Sequence, residues 1–275
     1  VVRTPNLDRL AAAGTLFRRA YCNNPICMPA RATIFTGLLP RDHGLRINGQ
    51  SLRRDIPVLP DIMRQAGYRT HAAGKLHLTP WVPKISPPDT ARFPECMDYW
   101  NGGAIEEFPI PYYGFQTVDF VGGHGDYVFG PYIAWLKNNG GARRSLTKEG
   151  ALAVLDAPSC YKMGIPKELH YNRFIADAAI RTIRESAAPG SPPFFAWCSF
   201  PDPHLPLAPP APYCDMYDPA AIPLPPRRRD EIDDLPAIYR RVFDGTIRPN
   251  GTRHTAIPDI QLQTMIAMTY GMVTH

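Results

Sequence analysis

The chain has 275 residues, of which 44% are hydrophobic and 20% are charged, and its formal net charge is +5. The length suits one large α/β domain or two small ones, and the composition excludes a disordered protein. No apolar run is long enough to cross a membrane. The longest basic run, 227–229, is balanced at once by two acidic residues, which favours a solvated loop over a nucleic-acid site. The modest positive charge fits a small anionic substrate.

The cysteines are too scattered to predict a disulfide framework, and no Cys-x-x-Cys pair predicts zinc. They are Cys22, Cys27, Cys96, Cys160, Cys198 and Cys214. No signal peptide is visible, but the chain opens on Val1 rather than methionine, so the first residues do not resemble a natural start. No compartment is therefore assigned, and a bacterial source would leave the cytoplasm and the periplasm open.

The first predicted helix begins at Pro5, because Thr4 is a good cap and proline suits the first helical position. Leu7, Leu10 and Ala11 form its apolar stripe, and Gly14 ends it. Residues 15–20 are expected to form a short extended segment that leads to the next loop.

The second predicted helix places Cys27 at its N-terminus. Pro29 suits the first turn, and Gly37 suits the end of the apolar run that follows. Free amides and the helix dipole favour negative charge there, and Arg31 offers a planar fork to an oxyanion. The pattern predicts a nucleophile beside an anion site, although a thiol before a helix can also be a plain buried residue.

A strand followed by a polar loop is predicted near residue 70. Residues 37–44 read as a turn-rich loop with a structural His43, and a helix over Leu59 to Ala66 ends at Gly67. The strand from Tyr68 to Ala73 then leads to a loop that carries Lys75 and His77. These two side chains point to one side beyond the strand, where parallel sheets bind ligands.

The stretch 80–150 is rich in Pro, Gly and aromatic residues, and we expect an irregular insertion that lines the substrate pocket. Within it, His124 either contacts substrate or is held in a glycine turn, and a short helix is expected over 132–136.

The second half of the chain predicts one more helix-and-strand unit. A helix over 172–186 precedes the apolar run 194–200, which suits a central strand covered on both faces. His204 follows between prolines, as either a rigid turn residue or a site residue. Residues 206–226 read as an extended surface connection, and 258–272 as a last helix.

Three of these stretches resemble the motifs of the type I sulfatases, in the family's order. Cys27 to Arg31 resembles the signature Cys-x-Pro-(Ser/Ala)-Arg, 67–77 resembles Gly-Tyr-x-Thr…Gly-Lys-x-His, and 203–206 resembles Pro-His-x-Pro. The resemblance implies an α/β, alkaline-phosphatase-like sandwich, in which helices flank a large mixed, mostly parallel sheet. It favours functional roles for Lys75, His77 and His204.

The resemblance also implies a mechanism. The formylglycine-generating enzyme would oxidise Cys27, and one hydroxyl of the hydrated aldehyde would attack the sulfur of a small anionic sulfate ester. A calcium ion, bound in part by position 27, together with Arg31, Lys75 and His204, would stabilise charge on the sulfuryl oxygens. His77 would orient or deprotonate a hydroxyl of the hydrate.

Two departures from the family matter. The paired aspartates of its first strand and the later Asp-Asn or Asp-His pair have no counterpart here, and neither has its second lysine. Calcium takes six to eight oxygens, of which position 27 supplies one or two. We therefore expect residues 1–275 to be an incomplete sulfatase catalytic domain that lacks the first metal-ligand strand and the C-terminal part. Alone, it should bind calcium weakly, be nearly inactive and be poorly soluble.

Three other functions stay open. The first is a phosphonate monoester or phosphodiester hydrolase, which shares the fold and the formylglycine signature. The second is a non-catalytic remnant in which Cys27 is unmodified. The third is a cysteine-dependent hydrolase that pairs Cys27 with His77, although Arg31 and Lys75 suit a sulfate or phosphate group better than an acyl group.

Overall fold

The computed structural model describes residues 2–83, 87–226, 232–247 and 257–275, so the basic run 227–229 lies outside the described residues. The helices are α1 Pro5–Ala13, α2 Cys27–Thr36, α3 Pro40–His43, α4 Leu59–Gln65, α5 Met97–Asn101, α6 Pro131–Asn138, α7 Tyr171–Ser186, α8 Ala237–Phe243 and α9 Asp259–Thr274. The strands are β1 Arg69–Gly74, β2 Thr117–Phe120, β3 Ala153–Val154, β4 Tyr161–Lys162 and β5 Phe194–Ser199. Short 3₁₀ turns cover Gly125–Tyr127, Arg143–Leu146, Lys148–Gly150, Lys167–Leu169, Tyr213–Asp215 and Pro219–Ala221.

A parallel sheet in the order β2-β1-β5 positions the candidate site. In β1, residues 70–74 are buried, because strands lie on both sides of β1 and helices cover its faces. The fold class is therefore confirmed, although the sheet in the described part of the chain has three strands, all parallel, rather than many mixed ones. The small β3–β4 pair is antiparallel and separate.

One prediction about this sheet is wrong. The run 194–200 was expected to be a central strand, but among the described residues β5 lies at the edge of the sheet, and Phe194 is 39% exposed. The stretch 80–150 is not irregular throughout, because it supplies β2 to the sheet as well as α5 and α6, and its expected role as an insertion that lines the substrate pocket stays a prediction. Strand neighbours could not be predicted, because they depend on residues far apart in sequence.

The helix that carries Cys27 is anchored by its own apolar side. Met28, Ala32 and Phe35 recur at helical spacing and are buried, and Phe35 packs edge-on against Phe115, with ring centroids 5.8 Å apart. Burial of each large side chain stabilises the fold by about 1.5–3 kcal/mol. Gly37 ends α2 in the left-handed conformation, at φ 70°. The packing therefore fixes the start of α2 beside the end of β1.

A second core lies under α7, whose Tyr171, Ile175 and Ala178 are buried against Tyr132 of α6. The predicted helices 59–66, 132–136, 172–186 and 258–272 are confirmed with shifts of one or two residues at their ends. No helix of the described residues combines the length and the apolar character that a membrane span requires.

The remaining local predictions hold in part. Helix α1 forms, but none of its residues is buried, and Leu10 is 70% exposed. Residues 15–20 are not a strand, and the predicted loop 37–44 contains α3, which begins at Pro40. His43 is structural, as expected, because it is buried and bonded to Thr33 and Leu45. The connection 206–226 is wrong as a surface stretch, because part of it packs against α9.

Candidate active site

The N-terminus of α2 presents Cys27, which is partly exposed. Ile26 precedes the helix in an extended conformation, and the next amide, that of Met28, donates to Asn48 Oδ1 at 3.2 Å. The thiol is partly exposed, whereas Met28 and Pro29 behind it are buried. A nucleophile at position 27 is therefore held by a packed helix and remains open to a substrate.

Arg31 lies one helical turn further and ties α2 to the sheet. Its Nη1 donates to Ser199 Oγ at 2.9 Å and to the Lys75 carbonyl at 3.2 Å. These two acceptors stand at the ends of β5 and β1. The guanidinium is thus fixed where the two strands end, on the side where parallel sheets bind ligands.

Lys75 follows β1 directly and is 3% exposed. Its backbone amide donates to the Ser199 carbonyl at 3.0 Å, and its Nζ lies 4.8 Å from the centroid of the Trp81 ring. Burial, and then the charge of Arg31, lower the pKa of Lys75 to about 8. The amine is therefore mainly cationic at neutral pH and begins to lose its proton near pH 8.

His77 adopts a left-handed backbone conformation, at φ 58°, and its ring stacks on Trp81 with centroids 3.7 Å apart. Burial and the charges of Lys75 and Arg31 lower the pKa of His77 to about 2. The imidazole is therefore neutral at physiological pH, and its buried Nδ1 has no partner within the described structure.

His204 and His124 form a stacked pair on the other side of the thiol, with ring centroids 3.5 Å apart. His204 Nδ1 lies 2.8 Å from the Leu205 carbonyl and donates to it, which leaves Nε2 for other partners. Hydrogen bonding to Cys27 raises the pKa of His204, whereas burial and His204 lower the pKa of His124 to about 4.

The pKa of the Cys27 thiol reflects the charged groups around it. Hydrogen bonding to His204 lowers the pKa of Cys27 most, burial opposes it, and the charges of Lys75 and Arg31 lower it further, to about 7. The structure thus brings together Cys27, Arg31, Lys75 and His204 around one anionic position. The six predicted site residues converge, because His77 and His124 join the same cluster through Trp81 and His204.

Comparison with known proteins identifies the family. The family model described as Sulfatase matches residues 1–229. The chain belongs to the sulfatase family. This finding confirms the resemblance to the type I sulfatases of the alkaline phosphatase superfamily.

Relatives extend the comparison. The chain is 26% identical over 259 residues to a sulfatase of Formosa agariphila and 29% identical over 232 residues to an arylsulfatase of Clostridium perfringens. These matches cover 90% and 82% of this chain, but 44% and 43% of the relatives. A phosphonate monoester hydrolase of Silicibacter pomeroyi is 28% identical, with a TM-score of 0.71, and the match covers 99% of this chain and 52% of that one. The chain thus spans less than half the length of these two curated relatives.

The calcium ion that the sulfatase resemblance implies does not fit the residues that the structure describes around position 27. The groups that act on Cys27 are two cations and a histidine, all of which repel a divalent cation or offer it nitrogen. The buried carboxylate nearby, Glu95, already accepts hydrogen bonds from three backbone amides and from Tyr112. Within the described residues, the oxygen ligands for calcium at position 27 are missing.

A second cluster, His170, Asp202 and His275, lies elsewhere in this sulfatase-family chain, with candidate ligand atoms within 4.8 Å of one another. The amide of Asn172 already occupies it, because Nδ2 lies 2.9 Å from Asp202 Oδ2 and 3.4 Å from His275 Nδ1. Tyr171 donates to the other Asp202 oxygen. The cluster is thus a hydrogen-bond network, and two nitrogen ligands of three would suit calcium poorly.

A cleft of about 810 Å³ adjoins this network and is lined in part by residues 3–7 and 272–275. Neither Cys27 nor Lys75 lines it, so this cleft is not the site of the predicted chemistry. Sequence reasoning missed Trp81, Glu95 and Ser199. Trp81 and Glu95 lie in the stretch 80–150, where no periodic pattern marks a residue as part of a site.

Proposed function

We propose that the complete protein hydrolyses a sulfate monoester, with Cys27 converted to formylglycine as the nucleophile. One observation supports this proposal above the others: His204, Lys75 and Arg31 all lower the pKa of Cys27 at the start of α2. The same charges that lower the pKa of the thiol to about 7 suit a bound sulfuryl group. Membership in the sulfatase family supports the reaction class.

The reaction proceeds in two steps. One hydroxyl of the hydrated aldehyde attacks sulfur in line, the S–O bond to the alcohol breaks, and the alcohol leaves with a proton. Residue 27 then carries the sulfate. The second hydroxyl loses its proton, the C–O bond to sulfate breaks, the aldehyde returns, and inorganic sulfate leaves. A serine at this position could not expel sulfate in this way and would wait for water.

The side chains divide the work by charge. Arg31 Nη1 is held by Ser199 and the Lys75 carbonyl, so Nη2 and Nε are left to face an anion. Lys75 adds a second positive charge to the sulfuryl oxygens. His204 exchanges a proton with the group at position 27, because His204 lowers the pKa of the thiol there and the thiol raises the pKa of His204. Neutral His77 accepts a hydrogen bond from a hydroxyl of the hydrate and orients it, since a pKa of about 2 makes the imidazole a weak base, and His124, stacked on His204, contacts the substrate.

The test uses the complete polypeptide produced together with a formylglycine-generating enzyme. We expect hydrolysis of an aryl sulfate that Cys27→Ala abolishes and that Cys22→Ala, at an exposed cysteine, leaves unchanged. Cys27→Ser should turn over once and retain a covalent sulfate, visible by mass spectrometry. Activity in Cys27→Ala equal to the wild type would refute the proposal.

One observation favours a second candidate, hydrolysis of a phosphonate monoester or phosphodiester. The Silicibacter pomeroyi structure, with a TM-score of 0.71, is that of a phosphonate monoester hydrolase. Both substrate classes present one negative charge to Arg31 and Lys75, so charge does not separate them. The ratio of kcat/KM for an aryl sulfate and an aryl phosphodiester decides, because it measures differential transition-state binding.

The cysteine-dependent hydrolase and the non-catalytic remnant are weaker candidates. The histidine that lowers the pKa of the Cys27 thiol is His204, and the His77 assumed for a thiol hydrolase is not among the groups that shift it. Iodoacetamide should abolish such an activity, whereas it leaves a formylglycine enzyme unaffected. An intact thiol in cells that can make formylglycine would favour the remnant.

A further inference from the structure

Glu95 is a fully buried carboxylate that lies just before α5 and makes an unusual set of hydrogen bonds. Its Oε2 accepts from the His77 amide, and its Oε1 accepts from the amides of Leu78 and Thr79, at 2.7 and 3.2 Å. The Tyr112 hydroxyl donates to Oε1 at 2.6 Å. Three consecutive backbone amides and one phenol thus converge on a single side chain, as amides in a backbone nest converge on an anion.

This carboxylate accepts the hydrogen bonds of turn amides that have no acceptor in the sheet. Strand β1 ends at Gly74, so the amides of 77–79 have no ladder partner there. His77 is also a non-glycine residue at φ 58°, a conformation that persists only where the surroundings enforce it. Glu95 stabilises this conformation, because both of its carboxylate oxygens accept hydrogen bonds from the amides of the turn.

The turn sets the position of the His77 imidazole. The ring stacks on Trp81 at an interplanar angle of 11°, and the Lys75 amine lies on the same indole. The charge of Glu95 also favours the protonated forms of Lys75 and Arg31. The hydrogen bonds of Glu95 all go to the turn and to Tyr112, and none goes to the reacting position.

We propose that Glu95 is a positioning residue for His77, because its carboxylate holds the backbone turn 77–79 that presents the imidazole to the group at position 27. This inference rests on the proposed function for its catalytic consequence, but the holding of the turn is a property of the structure itself. Glu95 acts through His77 and does not touch substrate.

The test compares variants of the complete polypeptide. Glu95→Gln keeps the size but turns one acceptor into a donor that faces the turn. We expect amide hydrogen exchange at 77–79 to rise at least about tenfold, with exchange at 71–73 in β1 unchanged. We expect kcat to fall about 10- to 100-fold while KM stays within about threefold.

Two controls separate positioning from general destabilisation. Tyr112→Phe removes one donor and leaves the carboxylate and the turn amides, so exchange at 77–79 and kcat should stay within about threefold of the wild type. Leu146→Ala opens a cavity in the other core, under α7, and should lower stability without changing kcat per folded molecule. If Glu95→Gln does not fold, Glu95→Asp carries the test, with a smaller rise in exchange, because the shorter acid reaches fewer amides.

The outcomes are distinct. Unchanged exchange at 77–79 in Glu95→Gln, or in Glu95→Asp if only that variant folds, overturns the proposal. A rise in exchange without a loss of kcat beyond that in Leu146→Ala overturns the positioning role. A wild type that hydrolyses neither sulfate nor phosphate esters contradicts the proposed function instead, and the exchange result then decides alone whether Glu95 holds the turn.

Discussion

Before any conversion to formylglycine, the Cys27 thiol should react with iodoacetamide with a midpoint near pH 7. Its pKa is lowered from 9.0 to about 7, first by hydrogen bonding to His204 and then by the charges of Lys75 and Arg31. The perturbation that tests this arrangement is His204→Ala, which removes the largest cause. The midpoint should then rise toward 9.0, because burial alone raises the pKa of a thiol.

The magnitude follows from the two pKa values. At pH 7 about half of the Cys27 thiol is ionised, against about 1% of a thiol with a pKa of 9.0, which is roughly 50-fold more thiolate. A thiolate whose pKa is 7 rather than 9 is, however, intrinsically about tenfold less nucleophilic. Cys27 should therefore react about fivefold faster than an ordinary thiol at pH 7, but about tenfold more slowly at a pH where both are ionised.

The assay is the rate of alkylation against pH, followed by mass spectrometry of each cysteine peptide. The protein is the complete polypeptide made in cells without the formylglycine-generating enzyme, with a calcium chelator present. Cys198, whose pKa is raised rather than lowered because its thiol is partly desolvated, is the internal control and should react with a midpoint above that of Cys27. A Cys27 midpoint at or above that of Cys198 would contradict a lowered pKa of Cys27. A midpoint that His204→Ala does not move would contradict the role of His204 in lowering it.

Three further predictions follow from single contacts. The kcat/KM for a sulfate ester should fall by up to about tenfold per pH unit above pH 8, because the Lys75 amine of the free enzyme loses its proton there. Lys75→Arg should shift this fall to higher pH. A kcat/KM that stays constant up to pH 10 contradicts the prediction. His43→Ala should lower the free energy of unfolding by about 2 kcal/mol, because both ring nitrogens of the buried His43 are bonded, without changing kcat; urea unfolding measures this. Gly74→Ala should lower the free energy of unfolding by about 2–6 kcal/mol, because φ is 93° and a Cβ would lie 2.1 Å from the Ser199 carbonyl oxygen. Gly140→Ala, at φ 78° with nothing within 4 Å, should cost less in the same assay, and equal losses would count against the steric argument.

The parts of the site that could be predicted from sequence are those that local chemistry encodes. Pro29 and Gly37 mark the two ends of α2, so the position of Cys27 at its start follows from a dozen residues. The exit of β1 at Gly74 likewise places Lys75 and His77 beyond a strand. Spacing within one segment was enough for these assignments.

The parts that could not be predicted depend on contacts between distant segments. Glu95 reaches the amides of 77–79 from a stretch without helical or strand periodicity, so nothing local distinguishes it from a surface acid. The apolar run of β5 has the composition of a central strand, and only its pairing shows that it lies at an edge. The apolar stripe of α1 shows the same limit, because Leu7 and Leu10 were recognised as its members, but both side chains are exposed in the described structure.

The central claim is that residue 27 becomes an aldehyde. Its most direct test is mass spectrometry of the tryptic peptide 20–31, from protein produced with a formylglycine-generating enzyme and treated with iodoacetamide. We expect a peptide with the mass of formylglycine at position 27, and its aldehyde should form a hydrazone on treatment with a hydrazine. A peptide that carries only alkylated Cys27 would contradict it.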